Sequence, residues 1–304
     1  FGSDGINAIG IIGEEHRKIL SINNSIDSGD TMGHINFRHG THTAGSLACF
    51  DVYDYRDGSI PSNASSIAHG AKIVVQDIVS SDGWVPPENI SELLSEAAMF
   101  GSIIHSNSWG DDTTEYTARS GEFDAWAIQM PWSLAFIAPG NTGGALLEPA
   151  NARNVAAIGA STKSESPEKW PSSSIGPTES GSIGIFALAP GVSIQSAKAD
   201  GIEDSYNDDL RTSSGTSMST PTAASFGGVL QQMVQQGWFV GSNENLHNVS
   251  LDSISPNWAT LGNNSILLGE GFTPSGPLLK ALLSVATTGI DNSDNYSFRN
   301  NTNI

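Results

Sequence analysis

The sequence predicts an α/β fold, a mostly parallel central sheet flanked by helices. Two observations predict it. Five short segments, 71–79, 102–108, 133–138, 154–160 and 184–188, are almost continuously apolar, as strands covered on both faces must be. Stretches with helical periodicity lie between them, and that alternation implies right-handed crossovers and parallel pairing. The chain has 304 residues, 38% of them apolar and 15% charged, which is enough to bury one large core.

The helices follow from spacing and stop signals. In 88–100, Ile90, Leu93, Leu94, Ala97 and Ala98 share one face, and Gly101 follows as a stop. Residues 116–129 form a second helix ended by Pro131, and 277–287 a third with Pro277 near its start. An apolar helix follows Ser213–Pro221, with Pro221 expected in its first turn and the small Ala223, Ala224, Gly227 and Gly228 allowing close packing. Residues 161–183 and 199–214 read as surface loops. The domain is expected over 1–290, and the Asn-rich 291–304 reads as a linker or the start of a further region.

Composition narrows the function. A formal net charge of −19 repels phosphate backbones, so a nucleic-acid partner is not expected. No segment approaches a transmembrane span, so no membrane partner is expected either. Cys49, the single cysteine, cannot close an intrachain disulfide and is expected to be a small buried hydrophobe. The chain opens on Phe1 without an initiator Met or a signal peptide and reads as processed or truncated.

Three segments carry chemistry. In Ser213-Ser-Gly-Thr-Ser-Met-Ser-Thr-Pro221, Ser217 falls at a helix N-terminus. Unpaired N–H groups there stabilise a developing anion, although a Ser/Thr N-cap gives the same pattern. A serine hydroxyl is a weak nucleophile and needs a base. Arg38-His-Gly-Thr-His-Thr-Ala-Gly45 places His39 at the start of a small-residue helix, suited to that role. His39 and His42 lack the following Glu and the third ligand that a zinc site requires. Ile137-Ala-Pro-Gly-Asn-Thr-Gly-Gly144 ends a buried strand at the edge where parallel sheets hold active groups. Asn141 there can aim an amide N–H at an oxyanion, or simply serve a turn.

Together these segments resemble the subtilase family of serine proteases (peptidase family S8), in order along the chain and across residues 30 to 290. Asn107-Ser-Trp-Gly110, Ser173-Ser-Ile-Gly-Pro177 and Ala189-Pro-Gly-Val-Ser-Ile-Gln-Ser196 add to the likeness. The form is closest to larger alkaline-type subtilases with a β-rich C-terminal extension. The resemblance implies a subtilisin-like three-layer fold and hydrolysis of peptide bonds in protein or peptide substrates. It implies Ser217 as nucleophile, His39 as general base and Asn141 as oxyanion donor. It implies Ser108, Trp109 and Gly110 as the segment pairing with substrate, and Ala138, Pro139 and Gly140 as one wall of a side-chain pocket. It further implies a secreted, extracellular location, a monomer, no cofactor for the chemistry and possible structural calcium, with no metal ligand assigned.

The sequence departs from the family at Arg38, where Gly is usual, and at Thr43, where an apolar residue is usual. A third departure concerns the acidic partner of the base, expected at the end of an apolar strand well upstream of His39. Asp27 in Asp27-Ser-Gly29 follows the polar Asn23-Asn-Ser25 and is a weak candidate. The strand is therefore expected to be missing from this chain, with the Asp upstream of Phe1. A pseudoprotease that binds peptides without cutting them is the main rival reading. An α/β-hydrolase is disfavoured because Ser219 stands where the Gly-x-Ser-x-Gly elbow needs its second Gly.

Overall fold

In front of the first helix runs a strand that the polar Asn23-Asn-Ser25 had argued against. β1 (Ile19–Asn23) pairs in parallel with β2 (Ile73–Gln76), Ile19 opposite Ile73 and Asn23 opposite Gln76. β1 carries no acidic residue and is not the Asp-bearing strand expected upstream of Phe1. In the computed structural model, residues 12–14, 16, 18–23, 38–50, 65–80, 83–84, 89–181, 184–200, 209–238 and 272–288 are described. Asp27 and the tail 291–304 lie outside them.

The main sheet has the order β5-β6-β7-β8: Ile104–Asn107, Leu134–Ile137, Ala156–Ser161 and Ala187–Pro190. All three pairings are parallel, with Asn107 opposite Ile137. β6 shows why these strands read as unbroken apolar runs. Leu134 and Phe136 face one core, with Ala156 and Ile158 of β7. Ala135 and Ile137 face the other, with Ala157. Both faces are dry, so no polar alternation is left to see.

Helices cover both faces, giving three layers. α1 spans His39–Ala48, α2 Ile90–Ala98, α3 Ala118–Gln129, α4 Thr216–Gln235 and α5 Gly276–Ala286. α2 and α3 contribute Ile90, Leu94, Phe123 and Trp126 to one core. α4 and α5 contribute Ala224, Leu230, Leu279 and Leu283 to the other. α2 starts where its sequence directs: the Asn89 side chain accepts the Glu92 N–H at 2.9 Å, satisfying one orphan donor of the first turn.

Two short antiparallel pairs complete the described fold. β3 (Val79–Ser80) and β4 (Gly83–Trp84) pair antiparallel. So do β9 (Ile194–Ala197) and β10 (Leu210–Ser213). β10 corrects the loop expected over 199–214. Its Leu210, Arg211 and Thr212 are all exposed, so no buried face imposed a pattern to read. β8 ends on Pro190, beyond the expected 184–188. Proline lacks a ladder donor but is tolerated on an edge strand.

Candidate active site

α4 begins where three loops meet. Gly215, its N-cap, has φ of 155°, backbone that glycine adopts far more freely than other residues. It carries no capping side chain, and the Thr216 N–H would be an orphan. Asn141, from the loop after β6, takes that place: its Oδ1 accepts from the Thr216 N–H at 2.9 Å and from Thr216 Oγ1 at 3.1 Å. A backbone N–H can only donate, which fixes which amide atom faces it. The Asn141 amino group therefore points away from Thr216, on an exposed side chain. Gly140 before it has φ of 104°, and its carbonyl accepts from Thr216 Oγ1 at 3.2 Å.

Ser217 follows as the second helical residue. Its N–H has no intrahelical acceptor by position, and its side chain is half-buried. Pro221 sits inside the helix rather than in its first turn, which corrects the sequence expectation. Its missing N–H would have bonded the carbonyl four residues back, that of Ser217. That carbonyl instead accepts from Ser108 Oγ at 2.9 Å. Ser108 follows β5, so one strand end grips the first turn of α4. Met218, after Ser217, is only 1% exposed.

His39 opens α1, as expected, and is half-buried. Arg38 before it lies at φ 33°, ψ 21°, the left-handed region that glycine enters without penalty. Arg38 Nη1 donates to Ala199 O at 3.0 Å. α1 packs against α4 and β9. A Cβ on Gly45 would fall 3.0 Å from Ala197 N, so only glycine lets α1 approach the strand so closely. His42 is held by its own partners: Nε2 lies 3.1 Å from Ile194 O and 3.0 Å from Arg211 O. That is the environment of a packed histidine, not of a metal ligand. Burial lowers the pKa of His39, and the charges of His42 and Arg211 lower it further. His39 is thereby kept neutral, able to accept a proton. Among the described residues no hydrogen bond joins His39 to Ser217; such contacts are commonly long before substrate binds.

The remaining expected residues line this region. Ser108 and Trp109 are half-buried and Gly110 exposed, while Ala138 and Pro139 are buried. Trp109 Nε1 donates to Asn107 Oδ1 at 3.2 Å. Leu147 covers Gly140, where a Cβ would approach to 2.6 Å of its Cδ1. Ser108, Trp109 and Gly110 border a cleft of about 1490 Å³ that also reaches His39. Two contributors escaped the sequence reading. Thr216 was named only as part of a motif, yet it orients Asn141. Ser174 Oγ sits 2.9 Å from Thr142 Oγ1 and steadies the loop carrying Asn141.

A profile of the Subtilase family (Peptidase_S8) matches residues 14–272. The chain belongs to the subtilase family. Two proteins of Dictyostelium discoideum are similar in sequence. Serine protease/ABC transporter B family protein tagB is 31% identical over 157 residues, which is 49% of this chain and 8% of that protein. Serine protease/ABC transporter B family protein tagD is 31% identical over 173 residues, 53% of this chain and 9% of that protein. This subtilase spans less than a tenth of either relative. Among solved structures, a cold-adapted subtilisin-like serine proteinase superposes with a TM-score of 0.58 at 20% identity, covering 93% of this chain and 79% of the other. Sphericase superposes with a TM-score of 0.51 at 18% identity, over 84% and 70%. These likenesses establish the subtilisin-like α/β fold.

Proposed function

We propose that this subtilase is a serine endopeptidase that cleaves protein substrates through an acyl-enzyme, with Ser217 as nucleophile, His39 as general base and Asn141 as oxyanion donor. The observation carrying this reading is the join at the start of α4, where Thr216 binds Asn141 on one side and Ser217 follows on the other. His39 takes the Ser217 hydroxyl proton as the oxygen attacks the peptide carbonyl. The Asn141 amino group and the Ser217 N–H donate to the resulting oxyanion. His39 then protonates the leaving amine, and water releases the acyl group.

Ser108, Trp109 and Gly110 line the cleft, and an exposed segment of this kind suits antiparallel pairing with an extended peptide. Ala138, Pro139 and Gly140 suit the wall of the adjoining side-chain pocket. Secretion and a monomeric state are proposed on family likeness. Among the described residues no helix is long and apolar enough to cross a membrane. Structural calcium has no cluster of acidic or histidine ligands to rest on among the described residues, and the chemistry proposed needs no cofactor.

The test is Ser217→Ala. It should abolish both peptide hydrolysis and covalent labelling by a serine-reactive phosphonate, with an unchanged circular dichroism spectrum. Hydrolysis that persists at the wild-type rate would refute the assignment.

A further inference from the structure

β5 and β6 run side by side to Asn107 and Ile137, and the Ala138 N–H donates to the Asn107 carbonyl at 3.0 Å. Past that point each chain bonds a third segment, residues 147 and 148. On one side the Leu147 N–H donates to Pro139 O at 3.0 Å. On the other the Asp111 N–H donates to Glu148 O at 3.1 Å, and the Glu148 N–H donates to Thr113 O at 2.8 Å. A Cβ on Gly110 would run into the Glu148 carbonyl oxygen, so the chain passes there only as glycine. Two consecutive residues thus space the segments proposed to receive substrate, 108–110 and 138–140.

The Glu148 side chain is 0% exposed, a place where a carboxylate needs charged or donating partners. Arg119, in the first turn of α3, supplies them. Its Nη1 donates to Glu148 Oε2 at 2.7 Å and to Oε1 at 3.0 Å. The same nitrogen donates to Asp111 Oδ2 at 2.7 Å. Thr117 Oγ1 donates to Glu148 Oε1 at 2.9 Å, and this N-cap residue makes no side-chain bond to its own helix. A second clasp lies beside the first: Asn151 Nδ2 donates to Thr114 O at 3.0 Å and to Glu115 O at 2.7 Å.

We propose that Arg119 is a positioning residue for substrate binding: by joining Asp111 to the buried Glu148 it locks the 108–110 segment at a set distance from the 138–140 segment. The inference rests on the protease reading of that cleft. Arg119 acts through Asp111 and Glu148 and not on the substrate itself. An extended peptide bonds such a segment along its backbone, so a shift of the segment weakens every pairing bond together. A misplacement of about 1 Å can cost about 100-fold. Ser217 is fixed by other means, through α4 and the bond from the Thr216 N–H to Asn141, which opening the latch leaves in place. Loss of the latch therefore shows in the binding of long substrates and spares the reactivity of the nucleophile toward small ones.

The experiment compares the full chain with Arg119→Met combined with Glu148→Gln, with Asp111→Ala and with Arg119→Lys. Removing Arg119 alone would strand a buried carboxylate and can unfold the protein, so the paired change takes out both charges together. Asp111→Ala opens only the 35% exposed end of the latch. In each, KM and kcat for extended peptides, the rate of Ser217 labelling by a small phosphonate and the melting temperature are read. The paired variant is expected to raise KM by about 10- to 100-fold. Its kcat should stay within about twofold, the pattern of lost uniform binding, and labelling should keep the wild-type rate. Asp111→Ala is expected to raise KM by about 5-fold, the size of a partly exposed ion pair. Arg119→Lys keeps a cation between the two carboxylates and is expected to retain most of the wild-type KM, since one nitrogen makes all the bonds. An unchanged KM in the paired variant, whatever its melting temperature, would overturn the role of Arg119 and leave the protease reading intact. So would labelling that slows in step with kcat/KM, because the effect would then lie on the nucleophile. Should the paired variant not fold, an unchanged KM in Asp111→Ala overturns the role by itself. A wild-type chain that neither cleaves peptide nor takes the label would overturn the protease reading and this inference with it.

Discussion

Asn141 faces two ways. Its Oδ1 caps α4 through Thr216, which leaves its amino group free of that contact and open to the proposed oxyanion role. The two functions separate by substitution. Asn141→Ala should lower kcat by about 100- to 1,000-fold, the effect of losing one oxyanion donor, and should cost about 1 kcal/mol of stability through the lost cap. Asn141→Asp keeps an acceptor for Thr216, so it should lose as much kcat while holding the melting temperature. Steady-state kinetics with parallel thermal melts check both. Ser217, His39 and Asn141 stand out in the sequence because each sits in a short motif with a local structural job. β1 was hidden because Ile19-Leu-Ser-Ile-Asn23 is short, half-buried and followed by polar residues. Only pairing with β2, about 50 residues away, reveals it.

At the level of elements, α4 is the core of the design. The small residues read from sequence do allow close approach: a Cβ on Gly227 would lie 2.8 Å from Phe136 Cζ, on a ring with 0% exposure that has nowhere to move. Gly227→Ala should therefore destabilise the protein by about 1–3 kcal/mol, the range for overpacking, despite alanine's better helix propensity. Urea unfolding measures it, and a stabilised variant would contradict the packing described. α2, α3 and α5 were legible because apolar stripes and stop residues mark them, with boundaries off by one or two positions. β10 was not legible because solvent on both faces removes any hydrophobic period. Cys49 was expected to be buried, yet it is half-buried at the end of α1, since the chain leaves the core there.

Across the whole molecule, acid stability turns on a histidine outside the chemistry. His105 of β5 is 6% exposed, edge-on to Trp126 at 6.2 Å, and its Nε2 finds no partner among the described residues. Burial pushes its pKa down from 6.5 to about 4. The unfolded chain thus takes up the proton first, as pH falls below 6.5, and the penalty stops growing near pH 4. The loss amounts to about 3 kcal/mol, a large share of the roughly 5–15 kcal/mol that holds a domain together. His105→Phe should flatten the dependence of unfolding free energy on pH between 6.5 and 4. Chemical denaturation at a series of pH values checks this, and an unchanged slope would assign the acid sensitivity to other groups. The three-layer fold itself was legible from the sequence, because continuous apolar strands report burial on both faces without further context.

The proline within α4 has a mechanical consequence. Pro221 leaves one gap in the hydrogen-bond ladder of a continuous helix, four residues past the proposed nucleophile. The carbonyl set loose by the break is tied sideways to the end of β5. The backbone that carries the proposed nucleophile is therefore moored to the sheet as well as to its own helix.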